Sequence, residues 1–419
     1  MKSKMIFLTS GYPYGKGEKS FVEPELNMFV NEYDVILISH AAKNELSDKN
    51  RSILDSRISC YHIGNNISLF NKIIWGLKFF CVKDGWREIK SIIKEKKSIL
   101  TRLYQSIGFF ILAQNELKYL KKLRLLESSE KIFCYSYWYT YYCYAFLFLK
   151  KIYPHLKVIT RTHGVDLYDE RMKGGRQPFK KIMDVRLDGI IFASDYAKEY
   201  YIGHYATDRD NRKYTVCRLG VPKRTQQNYL LNDKFVLLSC SYAVPLKRIE
   251  IIIKSLSELN TERIHWIHIG DGDCLSELQK SAYDLLDSKE NITFEFRGYQ
   301  TSQQIVDLYQ ERKIDSFITT SSTEGGCPVS IQEALSFGVP VIGTNVGGIT
   351  EMIHKNGVLL SENPSISEVV QAIRMMYYMK TDEKKILSDN AYLMWKTYFD
   401  QERNLEHLRQ TVRKMEGAS

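Results

Sequence analysis

Two carboxylates flank a glycine-rich turn in the segment 321–348, which reads SSTEGGCPVSIQEALSFGVPVIGTNVGG. Glu324 precedes the glycine pair, and Glu333 lies about one turn inside a helix that the pattern predicts over 329–337. Pro328 suits the start of that helix, because its missing N–H would have no helical partner there. The segment therefore predicts an acidic loop that leads directly into a helix N-terminus.

Such a helix start is a binding site for anions. A glycine-rich loop before it leaves backbone N–H groups free, and the helix dipole adds about half a positive unit charge. We expect the amides of Val329 and Ser330 to bind a phosphate, and Glu333 to accept hydrogen bonds from sugar hydroxyls. This chemistry suits a sugar joined to a diphosphate.

Three further loops carry candidate residues. Lys247 and Arg248 follow a predicted strand, where adjacent cations could neutralise a diphosphate; elsewhere such a pair is usually a surface pair. His163 lies just after another predicted strand, in Arg-Thr-His-Gly-Val-Asp. The loop after the first strand contains Gly15 and Gly17 and could approach an anionic donor or the acceptor, although a plain tight turn is the alternative.

Strand and helix patterns alternate along the chain, which predicts parallel α/β units in two domains. The halves are separated by Gly-Val-Pro and a polar linker at 220–232. Helices are predicted at 20–30, 138–150 and 398–415. The predicted strands are 5–9, 34–39, 131–135, 157–160, 189–193 and 214–218, then 235–239, 266–269, 292–296, 316–319 and 341–343.

The composition of the 419 residues, 44% hydrophobic and 26% charged, is that of a soluble globular protein. No apolar run reaches about 18 residues, and the short one at the N-terminus predicts a strand rather than a signal peptide. Eight cysteines without a CxxC pair indicate reduced thiols of a cytoplasmic protein and no zinc site.

The net charge of +10 is concentrated in one window, 72–124, which has thirteen Lys/Arg and four Asp/Glu, or +9. Bulky aromatic residues are interspersed among these cations, a mixture that suits an anionic membrane surface. Nucleic acid would also attract a basic patch, but no nucleic-acid motif accompanies it. A solvated basic face over an aromatic core is the alternative.

The segment 321–348, together with Lys247 and the His-Gly-x-Asp sequence at 163–166, resembles the donor site of the family 4 retaining glycosyltransferases. Two departures stand out. Eight residues separate Glu324 from Glu333, where seven are usual, and the extra one falls in the flexible glycine turn. Tyr242 stands where the family usually has an arginine.

The resemblance implies an α/β fold of the GT-B type, with two Rossmann-like domains facing across a cleft. The expected acceptor-side domain is 1–222 and the expected nucleotide-sugar domain is 233–397. The final helix, within 398–419, would pack back on the first domain.

The resemblance also implies roles for individual residues. Catalytic roles fall to His163, Glu324 and Lys247. Contacts with the donor or its surroundings fall to Gly15, Gly17, Asp166, Lys247, Arg248, Arg297, Gly325, Gly326, Cys327, Pro328, Val329, Ser330 and Glu333. Asp166 is expected to orient an acceptor hydroxyl or the loop itself.

The implied function is retaining transfer of a sugar from a UDP- or GDP-sugar to a saccharide acceptor, carried on a lipid, in bacterial capsule or exopolysaccharide synthesis. No metal and no cofactor is expected, since the resemblance implies that the Asp-Gly-Asp sequence at 271–273 belongs to a structural turn and is not the metal-binding Asp-x-Asp motif of the other glycosyltransferase fold. The protein would be cytoplasmic, or peripheral on the inner membrane face through 72–124, with no nucleic-acid partner. Rival functions are an NDP-sugar epimerase, a phosphorylase, which would need a pyridoxal lysine, and a non-catalytic binding subunit.

Overall fold

The computed structural model describes residues 2–14, 18–43, 46, 52, 54–123, 132–207, 211–227 and 234–417. These residues form two compact units. The first comprises Met1–Cys217 together with Leu405–Ser419, and the second comprises Arg218–Asn404.

The first unit is built on a parallel sheet of seven strands in the order β3-β2-β1-β4-β5-β6-β7. The chain therefore reverses its direction of progress across the sheet between β1 and β4. The strands are β1 (Lys4–Thr9), β2 (Asp34–Ser39), β3 (Ser59–His62), β4 (Ile132–Ser136), β5 (Lys157–Arg161), β6 (Gly189–Phe192) and β7 (Tyr214–Val216). The helices are α1 (Lys19–Val30), α2 (Leu69–Cys81), α3 (Lys83–Glu95), α4 (Ile99–Leu123), α5 (Tyr141–Leu149), α6 (Lys180–Asp184) and α7 (Asp195–His204).

Both faces of this sheet are covered. Along β1, Ile6 and Leu8 point into one apolar cluster, and Met5 and Phe7 point into the cluster on the opposite face. This is why the strand reads as a continuous apolar run rather than an alternating one. Helix α5 lies in the first cluster and is apolar nearly all round, as expected for a buried helix.

The second unit has a parallel sheet of six strands in the order β10-β9-β8-β11-β12-β13, which reverses between β8 and β11. The strands are β8 (Phe235–Cys240), β9 (Ile264–Ile269), β10 (Ile292–Phe296), β11 (Ser316–Thr319), β12 (Val341–Thr344) and β13 (Gly357–Leu360). The helices are α8 (Ile249–Ser257), α9 (Leu275–Leu286), α10 (Ser302–Glu311), α11 (Val329–Ser336), α12 (Ile366–Tyr378), α13 (Thr381–Met394) and α14 (Gln401–Glu416), with a π-helical turn at Trp395–Phe399.

The C-terminal part of α14 packs within the first unit. Leu408 and Val412 lie in the same apolar cluster as Met5 and Phe7. Arg409 and Arg413 of the helix pair with Glu32 at 3.0 and 2.8 Å. The two parallel sheets with their helices, and this final helix on the first unit, confirm the predicted α/β fold.

Some elements differ from the prediction. Strand β3 was missed because its residues alternate between exposed and half-buried and include no apolar run. Strand β13, at the sheet edge, was also missed. Helix α5 begins at Tyr141 rather than at 138, because the backbone N–H of Tyr139 donates to Asp166 and is committed to a turn. Positions 131 and 228–232 lie outside the described residues.

Candidate active site

The residues predicted to be functional in the second unit lie close to the point where the strand order of its sheet reverses. Lys247 ends a short 3-10 turn after β8, and Glu324 follows β11, the neighbouring strand. In open parallel sheets, ligands bind at the carboxyl ends of the two strands that flank such a reversal. The Lys247 Nζ atom forms an ion pair with Glu324 Oε1, and both side chains are partly exposed. The structure thus brings together two of the three residues predicted to be catalytic.

Hydrogen bonds fix the two loops against each other. The Ser321 hydroxyl donates to Glu324 Oε1 at 2.7 Å, so this carboxylate oxygen has both a cation and a hydroxyl partner. The Ser322 backbone N–H and hydroxyl donate to the Leu246 carbonyl at 2.8 and 3.1 Å. Sequence reasoning missed Ser321 and Ser322, because serines before an acidic loop carry no distinctive signal.

Arg248 has a part in holding these loops. Its backbone is left-handed, with φ of 48°, and its guanidinium donates to the carbonyls of Thr320 and Ser321 at 2.7 and 2.8 Å. It also donates to the Glu362 carbonyl and to Asn363 Oδ1, at 2.8 and 2.9 Å. These contacts commit its donors to protein acceptors, and a role on a diphosphate stays a prediction.

Two glycines after β12 support the acidic loop from behind. Gly347 has φ of +52°, and a Cβ atom there would lie 1.9 Å from the Glu324 carbonyl oxygen. A Cβ atom on Gly348 would lie 2.3 Å from the carbonyl carbon of Gly326. The turn that contains Gly325, Gly326 and Cys327 can adopt this path only because Gly347 and Gly348 lack side chains.

The start of α11 has the open amides of an anion site. Pro328 is the N-cap, and the first helical bond runs from the Gln332 N–H to the Pro328 carbonyl at 3.1 Å. The amides of Val329 and Ser330 therefore precede the helical ladder, and no side chain caps this end. The Gln332 side chain donates to the Cys327 carbonyl at 2.9 Å, which ties the loop to its helix.

Glu333 lies one turn further along α11 and is half-buried. Burial raises the pKa of its carboxyl to about 7, against the opposing charge of Arg224. Burial first, and then the charge of Glu333, also raise the pKa of Cys240 to about 12, while Lys247 lowers it. The charges of both Glu333 and Lys247 are therefore felt by Cys240 at the end of β8.

Arg297 does not join this group. It follows β10, which is separated from β8 by β9, and its Nε donates to Glu295 Oε1 at 2.8 Å. The predicted contact of Arg297 with a nucleotide stays a prediction.

In the first unit, His163 lies between two aromatic rings, Tyr137 at 4.7 Å and Trp138 at 4.5 Å between ring centroids. Burial, with the charge of Arg161, holds the pKa of the imidazole well below its usual range. The ring is therefore neutral, and its two nitrogens are buried without a hydrogen-bond partner among the described residues. A neutral imidazole of this kind can donate one hydrogen bond and accept another.

Asp166 holds the backbone around this histidine. Its carboxylate accepts from the N–H groups of His163 and Tyr139 at 2.6 and 2.7 Å. Burial raises the pKa of Asp166, while the nearby Lys180 and these amides lower it. Of the two roles predicted for Asp166, orienting the loop is the one with visible contacts.

A cradle of backbone amides follows β1, at the reversal point of the first sheet. The N–H groups of Ser10, Gly11 and Tyr12 donate to the Glu18 carboxylate at 3.1, 2.5 and 2.7 Å. The indole N–H of Trp138 donates to the same carboxylate. Sequence reasoning placed an anion near this loop but missed that Glu18 fills the cradle. Gly15 and Gly17 lie outside the described residues.

Known proteins share the fold and part of the sequence. Residues 222–394 match the family described as Glycosyl transferases group 1. No curated protein sequence shows significant similarity to the chain.

Solved structures match over almost the whole chain. A lipopolysaccharide outer core galactosyltransferase, WaaB, in its apo form is 15% identical with a TM-score of 0.70, and the match covers 98% of this chain and 99% of that one. HepE from Anabaena in complex with UDP-glucose is 14% identical with a TM-score of 0.68, covering 98% and 100%. Sucrose-phosphate synthase from Thermosynechococcus elongatus is 13% identical with a TM-score of 0.71, covering 100% of both chains.

These matches confirm the predicted fold type and class of enzyme. The fold match extends over the whole chain and shows the GT-B fold, while the family match over residues 222–394 supports a glycosyltransferase.

Proposed function

We propose that the chain transfers a sugar, with retention of anomeric configuration, from a nucleotide diphosphate sugar to a saccharide acceptor carried on a lipid. The product would belong to a bacterial surface polysaccharide. The second unit binds the donor, the first unit binds the acceptor, and no metal ion takes part.

The observation that carries this proposal is the arrangement at the reversal point of the second sheet. Lys247 and the open amides of Val329 and Ser330 supply positive charge for a diphosphate. Glu324 accepts hydrogen bonds from sugar hydroxyls, and Glu333 accepts them from the ribose. A donor diphosphate would compete with Glu324 for Lys247, which frees this carboxylate for the sugar.

The structural neighbours support the choice of donor. HepE was crystallised with UDP and with UDP-glucose, and WaaB is described as a galactosyltransferase. We therefore place UDP-sugars first among the candidate donors and GDP-sugars second. On the acceptor side, both ring nitrogens of the neutral His163 are buried and have no hydrogen-bond partner among the described residues.

The basic window supports attachment to an anionic membrane surface. Three of its four carboxylates are buried and paired: Asp84 with Arg186, Glu88 with Arg176 and Glu116 with His40. The fourth, Glu95, pairs with Arg102 at 2.6 Å. The outward charge is therefore mostly that of exposed lysines, namely Lys72, Lys78, Lys83, Lys90, Lys94, Lys96, Lys97, Lys118, Lys121 and Lys122.

Helix α2 presents the apolar part of this surface. Phe70 is 71% exposed and Leu77 is 63% exposed. We call the exposed side of the helix the apolar stripe; it consists of Leu69, Phe70, Ile73, Ile74, Leu77 and Phe80. An apolar stripe flanked by lysines is the pattern of a helix that lies in a membrane interface. Among the described residues, no helix is long and apolar enough to cross a membrane.

The test of the proposed function combines donor binding with turnover. Purified protein is screened against UDP- and GDP-sugars for thermal stabilisation, since a ligand at a hundred times its Kd adds about 2.7 kcal/mol. Turnover is followed as release of nucleoside diphosphate with octyl glycosides as acceptors. The product's anomeric configuration is read by NMR. We expect Lys247→Ala to lower kcat/KM by about 10²–10³-fold, as loss of one charge-stabilising group does elsewhere.

Lys254→Ala removes an exposed lysine from the same strand-helix unit and is the matched control. Full activity in a folded Lys247→Ala protein would reject the site. Release of nucleotide and free sugar without an acceptor would instead indicate an epimerase. Stabilisation by a nucleotide sugar without any turnover would indicate a binding subunit.

A further inference from the structure

A cavity of about 600 Å³ lies beside α4 in the first unit. That volume is within the range of about 300–1,000 Å³ typical of pockets for small ligands. None of the described residues that line it is acidic. Its walls are mainly apolar and include Ile67, Ile107, Phe109, Ile111, Leu112 and Met172.

One side of the cavity meets the exposed apolar surface of the unit. Lys72 lines it and belongs to α2, the helix that carries the apolar stripe. Tyr104 of α4 also lines it and is 80% exposed, and Leu100, one turn earlier, is exposed too. Exposed apolar side chains therefore adjoin the cavity on this side, with Lys72 among its lining residues.

Another part of the wall lies next to the loop that holds His163. Pro178 lines the cavity, and its neighbour Gln177 donates from Nε2 to the Val165 and Tyr168 carbonyls, at 2.9 Å each. Val165 lies between His163 and Asp166 in the acceptor-side loop. A molecule whose tail fills the cavity would thus have its polar end close to the predicted acceptor site.

The charge of the lining selects among apolar occupants. Lys72 is its one cation among the described lining residues, and no lining carboxylate opposes it. An occupant with a hydrocarbon tail and an anionic phosphate next to it fits this combination better than a neutral lipid does.

We propose that this cavity binds the hydrocarbon tail of the lipid that carries the saccharide acceptor. The inference rests on the proposed function, since it names how the first unit holds the acceptor. Lys72 lies near the lipid phosphate, and the saccharide extends toward His163. The cavity is separate from the apolar stripe, which contacts the membrane surface itself.

Gly108 allows a direct test. It lines the cavity in the middle of α4, and a Cβ atom there would have no heavy atom within 4 Å. Gly108→Trp therefore fills the space without a clash at Cβ, and a helical glycine is lost at no cost in helix propensity. Gly203→Trp is the matched control, because Gly203 is also helical with open space and does not line the cavity.

The probe is farnesyl phosphate below its micellar concentration, with binding measured by calorimetry. We expect saturable binding to the wild type, at least tenfold weaker binding to Gly108→Trp, and wild-type binding to Gly203→Trp. UDP-glucose should stabilise all three proteins equally, which shows that the second unit is intact.

Equal binding of farnesyl phosphate by Gly108→Trp, or no binding by the wild type, would overturn the inference. So would complete competition by inorganic phosphate, which indicates an anion site, or by phosphatidylglycerol vesicles, which indicates a bilayer lipid as the occupant. Failure of every nucleotide sugar to bind would reject the proposed function instead, and that result is independent of the farnesyl phosphate measurement.

Discussion

Burial favours the protonated form of the Glu333 carboxyl group. With a pKa of about 7, close to half of the molecules carry a proton there at neutral pH. The carboxylate can accept a hydrogen bond from a ribose hydroxyl on each of its oxygens, whereas the protonated group has one oxygen occupied as a donor. Donor binding should therefore select the deprotonated protein.

We predict that the affinity for UDP-glucose rises about tenfold between pH 6 and pH 8, because the fraction of competent protein rises by that factor. Glu333→Gln should bind more weakly and without this pH dependence. UDP-glucose is the ligand of choice, since the terminal phosphate of UDP would itself titrate near pH 6. A flat wild-type profile, or the same slope in Glu333→Gln, would contradict the assignment.

The raised pKa of Glu333 also predicts the direction in which the stability of the protein changes with pH. The folded state binds the Glu333 proton more tightly than the unfolded state, whose glutamate pKa is about 4.3. The wild type should therefore lose stability as the pH rises from about 4 to about 7. Glu333→Gln avoids this loss, so its melting temperature should exceed that of the wild type at pH 8 and match it near pH 4.

At the residue scale, sequence reasoning found residues whose type and position are both distinctive. Lys247 and Glu324 lie in loops after adjacent strands, and the ion pair between them follows from that placement. Ser321 and Glu18 were missed because their roles depend on which backbone groups a fold brings within reach. Arg248 is the opposite case. Its charge suggested that it binds a diphosphate, but its guanidinium N–H groups donate to protein carbonyls.

At the scale of elements, the alternation of strands and helices was sufficient to predict parallel sheets. It could not predict strand order, because order depends on packing between elements far apart in sequence. The reversal between β8 and β11 is what makes the loops of Lys247 and Glu324 neighbours. Of the four edge strands, β7 and β10 were predicted, whereas β3, which has no apolar run, and β13 were missed.

Gly347 tests whether the acidic loop is positioned by its backing turn. In Gly347→Ala the new methyl group would collide with the Glu324 carbonyl, and the left-handed backbone would be strained by about 1–2 kcal/mol. We expect the loop to shift and the affinity for UDP-glucose to fall at least tenfold, as measured by calorimetry.

Gly175→Ala separates the effect of backbone strain from that of the steric collision. Gly175 has a similar φ of +60°, but the nearest heavy atom to its Cβ position is a guanidinium nitrogen of Arg102 at 3.8 Å. This variant should lose stability from backbone strain alone and keep its affinity for UDP-glucose. If Gly347→Ala binds the donor as well as Gly175→Ala does, the turn does not position the loop.

At the scale of the whole molecule, charge is distributed very unevenly. The window 72–124 accounts for +9 of the net +10, which leaves +1 for all other residues. From composition alone, the window 72–124 could bind a membrane, bind nucleic acid or form a solvated basic face. The structure adds that the acidic residues of the window are paired inside or beside the first unit, while an apolar stripe faces outward. A nucleic-acid surface would need the cations but not the stripe.

We therefore predict binding to vesicles of phosphatidylglycerol but not to vesicles of phosphatidylcholine, with weaker binding at high salt because surface charges are screened. Phe70→Glu combined with Leu77→Glu should reduce vesicle binding at least tenfold in a co-sedimentation assay, since it removes apolar contact and adds negative charge. The control is Tyr283→Glu combined with Ile386→Glu, which adds the same charge at exposed apolar positions of the second unit. Equal losses in both double variants would mean that net charge alone governs binding and that the apolar stripe does not enter the membrane interface.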